Sequence, residues 1–445
     1  MSGKIKQQAF VAFLAIAMVG ALAAAAWVFA ADSASVLASL ARERAAKTQP
    51  VEDAAGAMTH FYQALYRTAT KQPDAVTHVI HFGDSLIEME LLPGPMRRLL
   101  QQKWGDCGHG FVLSSRPKAW YIPYDLSYDP APEWISYDMK DTKTRDRCFG
   151  LGGATGIAVR PNAWVKAGTT AKGVVGRKVS RFEVLFPIEP TGGPLDIKVD
   201  GSKVGTIDTA GAGYQDGYAE IPVPDGPHAI EITARKKDTR LQGIVLDREG
   251  PGVIYDACGI NGSGVTTYLS ADKTCWENAL RHRNPDLVLI GVGTNDTSDS
   301  LDLVTYKQNM QRLVLRVREA LPNASIMLVA PLDRARKQGA ELVTHPTTPK
   351  IVATQRALAR EMGVAFWSAF DAMGGVGSMA RWYNARPQLG AGDFFHPTPK
   401  GGEVLGEMFY NALMQGFADY IAANPALPPA AAPPADPLTK LELTR

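Results

Sequence analysis

Val79-Ile-His-Phe-Gly-Asp-Ser-Leu86 is the stretch from which the fold and the chemistry can both be inferred. An apolar run typical of a buried strand ends in a Gly-Asp turn, and a serine follows directly. In open α/β sheets, ligands bind at the carboxyl ends of the strands. A serine hydroxyl attacks poorly at its ordinary pKa, so it needs a base, an orienting carboxylate and oxyanion donors nearby.

Three later stretches can supply these groups. Residues 259–262 (Gly-Ile-Asn-Gly) offer a glycine whose backbone N–H can closely approach a bound oxyanion. Residues 288–296 repeat the pattern of an apolar strand and a glycine turn, and they include Asn295, whose side-chain amide can donate. Asp393 and His396 are three residues apart, which lets the carboxylate hold one ring nitrogen while the other faces the serine.

These stretches resemble the four sequence blocks of the SGNH (GDSL-type) hydrolase superfamily, in order and spacing. The matching residues are Gly83-Asp84-Ser85-Leu86, Gly262, Gly293-Thr294-Asn295-Asp296 and Asp393-x-x-His396. The resemblance covers residues 76–150 and 255–420. One block alone would be weak support for a family, whereas four blocks in order are strong support.

The resemblance implies a role for each matched residue. Ser85 is the expected nucleophile, His396 its base and Asp393 the partner of the base. The expected oxyanion donors are the backbone N–H groups of Ser85 and Gly262 and the side-chain amide of Asn295. Alternatives that stay open are Gly259 or Gly264 for the glycine and His81 or His109 for the base.

The predicted fold class is α/β, with a doubly wound, flavodoxin-like parallel sheet of the SGNH type. Residues 285–292 form a near-continuous apolar run suited to a central parallel strand. An amphipathic helix over 306–321 and a strand over 325–330 then complete a βαβ unit. Further elements are predicted over 351–362 (helix), 364–367 (strand) and 401–418 (closing helix).

Residues 151–254 predict an inserted domain. Short alternating segments separated by Gly, Pro, Asp and Thr turns are typical of an antiparallel β-sandwich. Because the serine precedes this region and the other blocks follow it, the domain must interrupt the hydrolase. In outline the arrangement resembles peptidoglycan O-acetylesterases with a carbohydrate-binding-module-like insert. The insert either binds glycan or only shapes the cleft.

Residues 1–32 predict export. Two lysines precede an uncharged apolar stretch over residues 9–31, which is long enough to span a bilayer. Small residues at 28–30 also suit a signal peptidase. A cleaved signal peptide and an inner-membrane anchor are therefore both open, and either places the protein outside the cytoplasm, in the periplasm or secreted.

The remaining composition describes a globular protein of 445 residues, 45% hydrophobic and 21% charged. Residues 33–75 predict a helical linker, and residues 421–445 an Ala/Pro-rich, disordered tail. A formal net charge of +2 gives no indication of a nucleic-acid surface. Aromatic residues between Trp120 and Trp134 either stack on sugar rings or cover the sheet.

The four cysteines are expected to form disulfides, because their number is even in a protein predicted to be exported. Pairing within each half, Cys107 with Cys148 and Cys258 with Cys275, is the expectation among three connectivities. None of the four has a metal-ligand spacing. No metal and no cofactor is expected.

These features favour a serine esterase that removes O-acetyl groups from a cell-envelope or extracellular polysaccharide through an acetyl-serine intermediate. The expected partner is the acetylated polysaccharide, with peptidoglycan the leading candidate. Two alternatives stay open. One is a polysaccharide O-acetyltransferase that works with a membrane acyl-donor partner, and the other is a non-catalytic glycan-binding protein.

Overall fold

The computed structural model describes residues 32–144 and 146–424. The apolar stretch over 9–31, with its predicted export function, lies outside the described residues, as does the predicted tail from residue 425 onward. In the described part of the chain, no helix is long and apolar enough to cross a membrane.

Helices and strands alternate in the two hydrolase parts, and strands dominate between them. The helices are α1 (32–39), α2 (Ala41–Ala45), α3 (Thr59–Ala69), α4 (Ser85–Glu88), α5 (Pro93–Trp104), α6 (Val265–Leu269), α7 (Lys273–Arg283), α8 (Leu303–Ala320), α9 (Thr348–Met362), α10 (Ala369–Ala372), α11 (Ser378–Asn384) and α12 (Pro399–Ala423). The strands are β1 (Val76–Gly83), β2 (Gly110–Val112), β3 (Leu126–Pro130), β4 (Trp134–Asp138), β5 (Ala154–Ala158), β6 (Ala163–Thr169), β7 (Val179–Ile188), β8 (Pro194–Val199), β9 (Ser202–Asp208), β10 (Gln215–Gly226), β11 (Ala229–Ala234), β12 (Arg240–Leu241), β13 (Gly243–Asp247), β14 (Gly252–Gly259), β15 (Leu287–Gly291), β16 (Ser325–Ala330), β17 (Ala335–Gln338), β18 (Glu341–Thr344) and β19 (Ala365–Ser368).

A parallel sheet forms the centre of the hydrolase. Its strand order is β14-β1-β15-β16-β19, which in chain order is 2-1-3-4-5, the flavodoxin-like arrangement. The predicted α/β fold is confirmed. The elements predicted after the insert are confirmed as β15, α8, β16, α9, β19 and α12, and α12 continues to Ala423, into the predicted tail.

Helices cover the sheet on both faces, which is why β1 is buried along most of its length. Val79 contributes to one buried cluster, which also contains residues of α3, α5 and α12. Ile80 and Phe82 contribute to the other, which contains residues of α7, α8 and α9. Side chains on the two faces of β1 therefore enter two different hydrophobic cores.

The inserted part consists of antiparallel sheets. Their strand orders are β10-β7-β13-β2, β3-β6-β11-β8-β9 and β12-β5-β4. The first antiparallel strand is β2, so this architecture starts well before residue 151, the predicted start of the insert. Strands β3 and β4 were not recognised in the sequence because they are short, and β4 exposes the apolar Ile135 while it buries Asp138.

One face of α7 carries several contacts between the insert and the hydrolase. Cys275 forms a disulfide with Cys148. The Asn278 amide donates to Asp216 at 2.9 Å. The His282 ring lies 2.6 Å from the Glu183 carboxylate. Positions 275, 278 and 282 follow helical spacing, so the insert packs along a single stripe of α7.

The expected cysteine pairing is wrong. Cys148 and Cys275 are bonded, with Cα atoms 5.5 Å apart, while Cys107 and Cys258 are buried free thiols. The pairing within halves fails because Cys258 lies on β14 with its side chain in the sheet core. The Cys107 thiol instead donates to the carbonyl of Gly250 at 3.0 Å.

This connectivity predicts the thiol content of the unreduced protein. In denaturant without reductant, two of the four cysteines should react with a thiol reagent, and a disulfide-linked peptide should contain Cys148 and Cys275. Thiol titration followed by peptide mass mapping tests both expectations. No reactive thiol, with peptides linking Cys107 to Cys148, would contradict the structure.

Candidate active site

Three strands end side by side at the edge of the sheet where the candidate site lies. Gly83 of β1 pairs with Gly259 of β14 and with Gly291 of β15. The loops that follow these strands therefore leave the sheet as neighbours. There is no space for side chains there, since a Cβ atom on Gly83 would lie 2.4 Å from Cγ1 of Ile87.

Ser85 begins the short helix α4 directly after this turn. The Asp84 side chain caps the helix by accepting a hydrogen bond from the Leu86 N–H at 3.0 Å. Burial raises the pKa of Asp84, while the Leu86 N–H and the Thr294 side chain act in the opposite direction. Asp84 therefore holds the turn and ties it to the loop after β15.

Ser85, His396 and Asp393 form one hydrogen-bonded chain. Ser85 Oγ lies 2.6 Å from His396 Nε2, and His396 Nδ1 lies 2.8 Å from Asp393 Oδ2. Burial tends to raise the pKa of Asp393, but hydrogen bonds from the His396 side chain and backbone and the Phe395 backbone hold it below its ordinary value. The carboxylate is thus charged beside the ring nitrogen that it orients.

The loop that carries this pair is closed by its own backbone. The Ala391 N–H donates to the His396 carbonyl at 2.8 Å. Thr398 then caps α12 by accepting from the Gly401 N–H at 3.1 Å, with Pro399 in the first turn. The imidazole therefore stands on a rigid loop at the start of a long helix.

The turn at residues 261–262, here called the glycine turn, lies between β14 and α6. Gly262 has φ +70°, and the nearest atom to a Cβ built on it is Lys140 Nζ at 3.6 Å. Gly259 and Gly264 are more confined, because a Cβ on them would lie 2.1 Å from the Glu88 nitrogen and 2.6 Å from Asp296 Oδ1. Gly262 is thus the most open of the three.

Asn295 reaches toward the glycine turn from the loop after β15. Its Nδ2 donates to the carbonyl of Ser263 at 3.0 Å. A side-chain amide carries two N–H groups, so this bond fixes the amide and leaves a second donor. The five predicted site residues all lie at this edge of the sheet.

Three residues that the sequence interpretation did not assign to the site hold the loops together. Ser263 Oγ donates to the Gly83 carbonyl at 3.1 Å. Tyr268 OH accepts from the Gly83 N–H at 3.0 Å and donates to the Gly83 carbonyl at 2.6 Å. Asp296 accepts from the Val265 N–H at 3.2 Å, and burial raises its pKa to about 6.

Glu88 is a further buried acid, one helical turn after Ser85. Its side chain is close to Lys140, Asp138 and Lys118 and to the backbone N–H of Asn261. Its Oε2 has no hydrogen-bond partner in the described part of the chain. Burial raises the pKa of Glu88 to about 7, against the opposing effects of Lys140 and the Asn261 N–H.

The alternative bases lie away from this chain of hydrogen bonds. His81 is fully buried, with Nδ1 2.8 Å from the Tyr255 hydroxyl, and burial lowers its pKa to about 3. His109 is also buried, and burial together with Arg97 lowers its pKa to about 3. Both imidazoles are held neutral inside the protein.

The aromatic residues between positions 120 and 134 mainly pack against the protein interior. Tyr121 and Trp134 are buried, and the Tyr121 hydroxyl accepts from the Leu113 N–H at 2.9 Å. Trp120, in contrast, is 47% exposed.

Part of the chain matches a known protein family. The model of the GDSL-like lipase/acylhydrolase family matches residues 214–404. That range contains Gly262, Asn295, Asp393 and His396, and it begins after Ser85. Among the curated proteins, none matches this sequence.

Solved structures match over most of the chain. A peptidoglycan O-acetylesterase aligns with a TM-score of 0.69 and 23% identity, covering 83% of this chain and 99% of that one. A family two carbohydrate esterase from Cellvibrio japonicus aligns at 12% identity with a TM-score of 0.27, covering 70% and 98%. One from Clostridium thermocellum aligns at 12% identity with a TM-score of 0.27, covering 64% and 96%.

The match over residues 214–404 and the fold together support a carboxylic ester hydrolase similar to the GDSL-like lipase/acylhydrolase family. The overall fold resembles that of the peptidoglycan O-acetylesterase over 83% of this chain.

The raised pKa of Glu88 predicts a pH-dependent stability. In the folded chain the Glu88 carboxyl has a higher pKa than in the unfolded chain. The stability that its protonated form contributes is complete below the unfolded pKa and is lost as the pH rises to about 7. Glu88→Gln keeps a neutral side chain and avoids that loss. The melting temperature of the variant, relative to that of the wild type, should therefore rise between pH 5 and pH 8. A difference that stays constant over this range would contradict the assignment.

Proposed function

We propose that this protein is a serine esterase that removes O-acetyl groups from a cell-envelope or extracellular polysaccharide, with peptidoglycan as the substrate. The observation that carries the proposal is the unbroken hydrogen-bonded chain from Ser85 Oγ through His396 to Asp393. The glycine turn and Asn295 stand beside it. Export through residues 1–32 would bring the enzyme to such a polymer.

In the proposed reaction, His396 Nε2 accepts the proton of Ser85 as Oγ attacks the acetyl carbonyl. Asp393 keeps Nδ1 protonated and stabilises the imidazolium. The imidazolium then gives its proton to the departing sugar hydroxyl, which leaves an acetyl-serine. Water, deprotonated by His396, attacks this ester and releases acetate and free Ser85.

The oxyanion formed in each step needs donors that are in place before reaction. The backbone N–H groups of Ser85 and Gly262 and the second N–H of the Asn295 amide are the proposed donors. One such donor is worth on the order of a hundredfold to a thousandfold in rate. The bond from Asn295 to Ser263 supports this role, because it fixes the direction of the amide.

A cleft beside the glycine turn supports a polymeric, hydroxyl-rich substrate. The cleft has a volume of about 730 Å³ and lies between the insert and α6. Its lining comprises Met139, Lys140, Thr142, Thr144, Arg147, Thr266, Thr267 and Ser270. Hydroxyl groups predominate, and two side chains are cationic. Such a surface suits the hydroxyl and carboxylate groups of a cell-wall glycan better than an acyl chain.

Acetate release tests the proposal. The purified protein should release acetate from O-acetylated peptidoglycan, and Ser85→Ala should lower the rate at least about a thousandfold, because the substitution removes the proposed nucleophile. Acetylated xylan serves as the comparison polymer. Circular dichroism of the Ser85→Ala variant controls for folding.

The outcomes separate the candidate functions. Ser85-dependent release from peptidoglycan supports the esterase. Ser85-dependent turnover of a small activated acetate ester without release from any glycan would instead favour the O-acetyltransferase. Binding to glycan without turnover of any ester would favour a non-catalytic binding protein.

A further inference from the structure

The inserted domain contacts the glycine turn through Lys140, which follows strand β4. The Lys140 ammonium donates a hydrogen bond to the carbonyl of Asn261. Its Nζ also lies 3.6 Å from the position that a Cβ on Gly262 would take. A cation from the insert therefore stands at the turn that carries the proposed oxyanion donor.

The contact with Asn261 fixes the direction of the Gly262 N–H. The Asn261 carbonyl and the Gly262 N–H belong to one planar peptide unit, in which they point in opposite directions. A donor that holds the carbonyl therefore also orients the N–H. A cationic donor on the carbonyl oxygen also polarises the peptide unit. Hydrogen bonds made by the same peptide unit strengthen one another.

Glu88 contacts the same turn at the neighbouring peptide unit. Its carboxylate is close to the Asn261 N–H, which belongs to the preceding peptide unit. Gly259 packs against α4 at a distance that excludes a side chain, so the start of the loop lies directly against the serine helix. Asn261 is thus held at its N–H by Glu88 and at its carbonyl by Lys140.

The backbone around Lys140 is itself fixed. The Lys140 N–H donates to Asp138 Oδ1 at 2.8 Å. Ser270 Oγ donates to the Met139 carbonyl at 2.9 Å, and the Arg147 guanidinium donates to the same carbonyl. The next residue after Arg147 is Cys148, which is bonded to α7. The ammonium is therefore presented from a rigid segment and not from a free loop.

We propose that Lys140 is a positioning residue for the acyl-transfer reaction, which orients the Gly262 N–H in the oxyanion hole while Glu88 holds the neighbouring Asn261 N–H. The inserted domain then contributes to the chemistry itself, in addition to any part in glycan binding. This inference rests on the proposed function. It implies that even an ester too small to touch the insert needs Lys140.

The test uses p-nitrophenyl acetate, which carries no sugar, and three variants of the full chain. Lys140→Met removes the charge and the donor but keeps the aliphatic stem, and Lys140→Arg keeps both charge and donor. Lys143→Met is the matched control, because Lys143 belongs to the same segment but lies over the Tyr137 ring. If Lys140→Met does not fold, Lys140→Gln takes its place in the comparison.

The expected result is a loss in kcat/KM of about tenfold to a hundredfold for Lys140→Met, a fraction of what complete removal of an oxyanion donor costs. Most of the loss should fall on kcat. Affinity for a phenylboronic acid, whose serine adduct places an oxygen in the oxyanion hole, should fall in parallel. Lys140→Arg should recover most of both quantities, and Lys143→Met should match the wild type.

Values of kcat/KM and boronate affinity within twofold of the wild type for folded Lys140→Met would overturn the inference. If turnover still depends on Ser85 in that case, the proposed function stands and Lys140 has no part in the chemistry. If the wild type itself shows no Ser85-dependent turnover, the proposed function fails and the inference fails with it.

Discussion

Close backbone packing at the carboxyl ends of three neighbouring strands is the constraint on which the site depends. Gly83, Gly259 and Gly291 lie in register across β14, β1 and β15. Side chains on the first two would overlap α4. Their absence lets the serine helix and the loops with Gly262 and Asn295 converge within hydrogen-bonding reach, although these residues are far apart in the sequence.

Buried polar groups then fix the converged loops. Ser263 and Tyr268 satisfy the backbone of Gly83, and Asp296 satisfies the first N–H of α6. An unsatisfied buried polar group is costly, so each of these bonds keeps a loop in one position. The site is therefore organised before any substrate arrives, which is the condition for effective electrostatic stabilisation of an oxyanion.

The insert is part of this organisation. It is joined to the hydrolase by the Cys148–Cys275 disulfide, by contacts along α7 and by Lys140 at the glycine turn. The last of these connections lies at the turn that carries the proposed oxyanion donor.

The sequence was sufficient for four of the five strands of the parallel sheet, because a strand buried on both faces shows as an apolar run, as in β15. The fifth strand, β14, was missed because it lies partly within the predicted insert. The site residues could be located because they fall in four sequence blocks whose order and spacing resemble those of the SGNH hydrolases. The other features of the site and the disulfide depend on packing between segments that are far apart in the sequence. Nothing local distinguishes Lys140 from Lys143, and Glu88 becomes significant only because α4 faces Asn261. The disulfide was mispredicted for the same reason, since Cys148 meets Cys275 only after the insert has packed on α7.

The central claim is that Ser85 carries the acetyl group between the polysaccharide and water. The most direct measurement is acid quenching of the enzyme within milliseconds to seconds of mixing with O-acetylated peptidoglycan fragments, followed by mass mapping. The account predicts one additional acetyl group on the peptide that contains Ser85, lost again once the substrate is exhausted. Steady release of acetate with that peptide unmodified at every time point would contradict it.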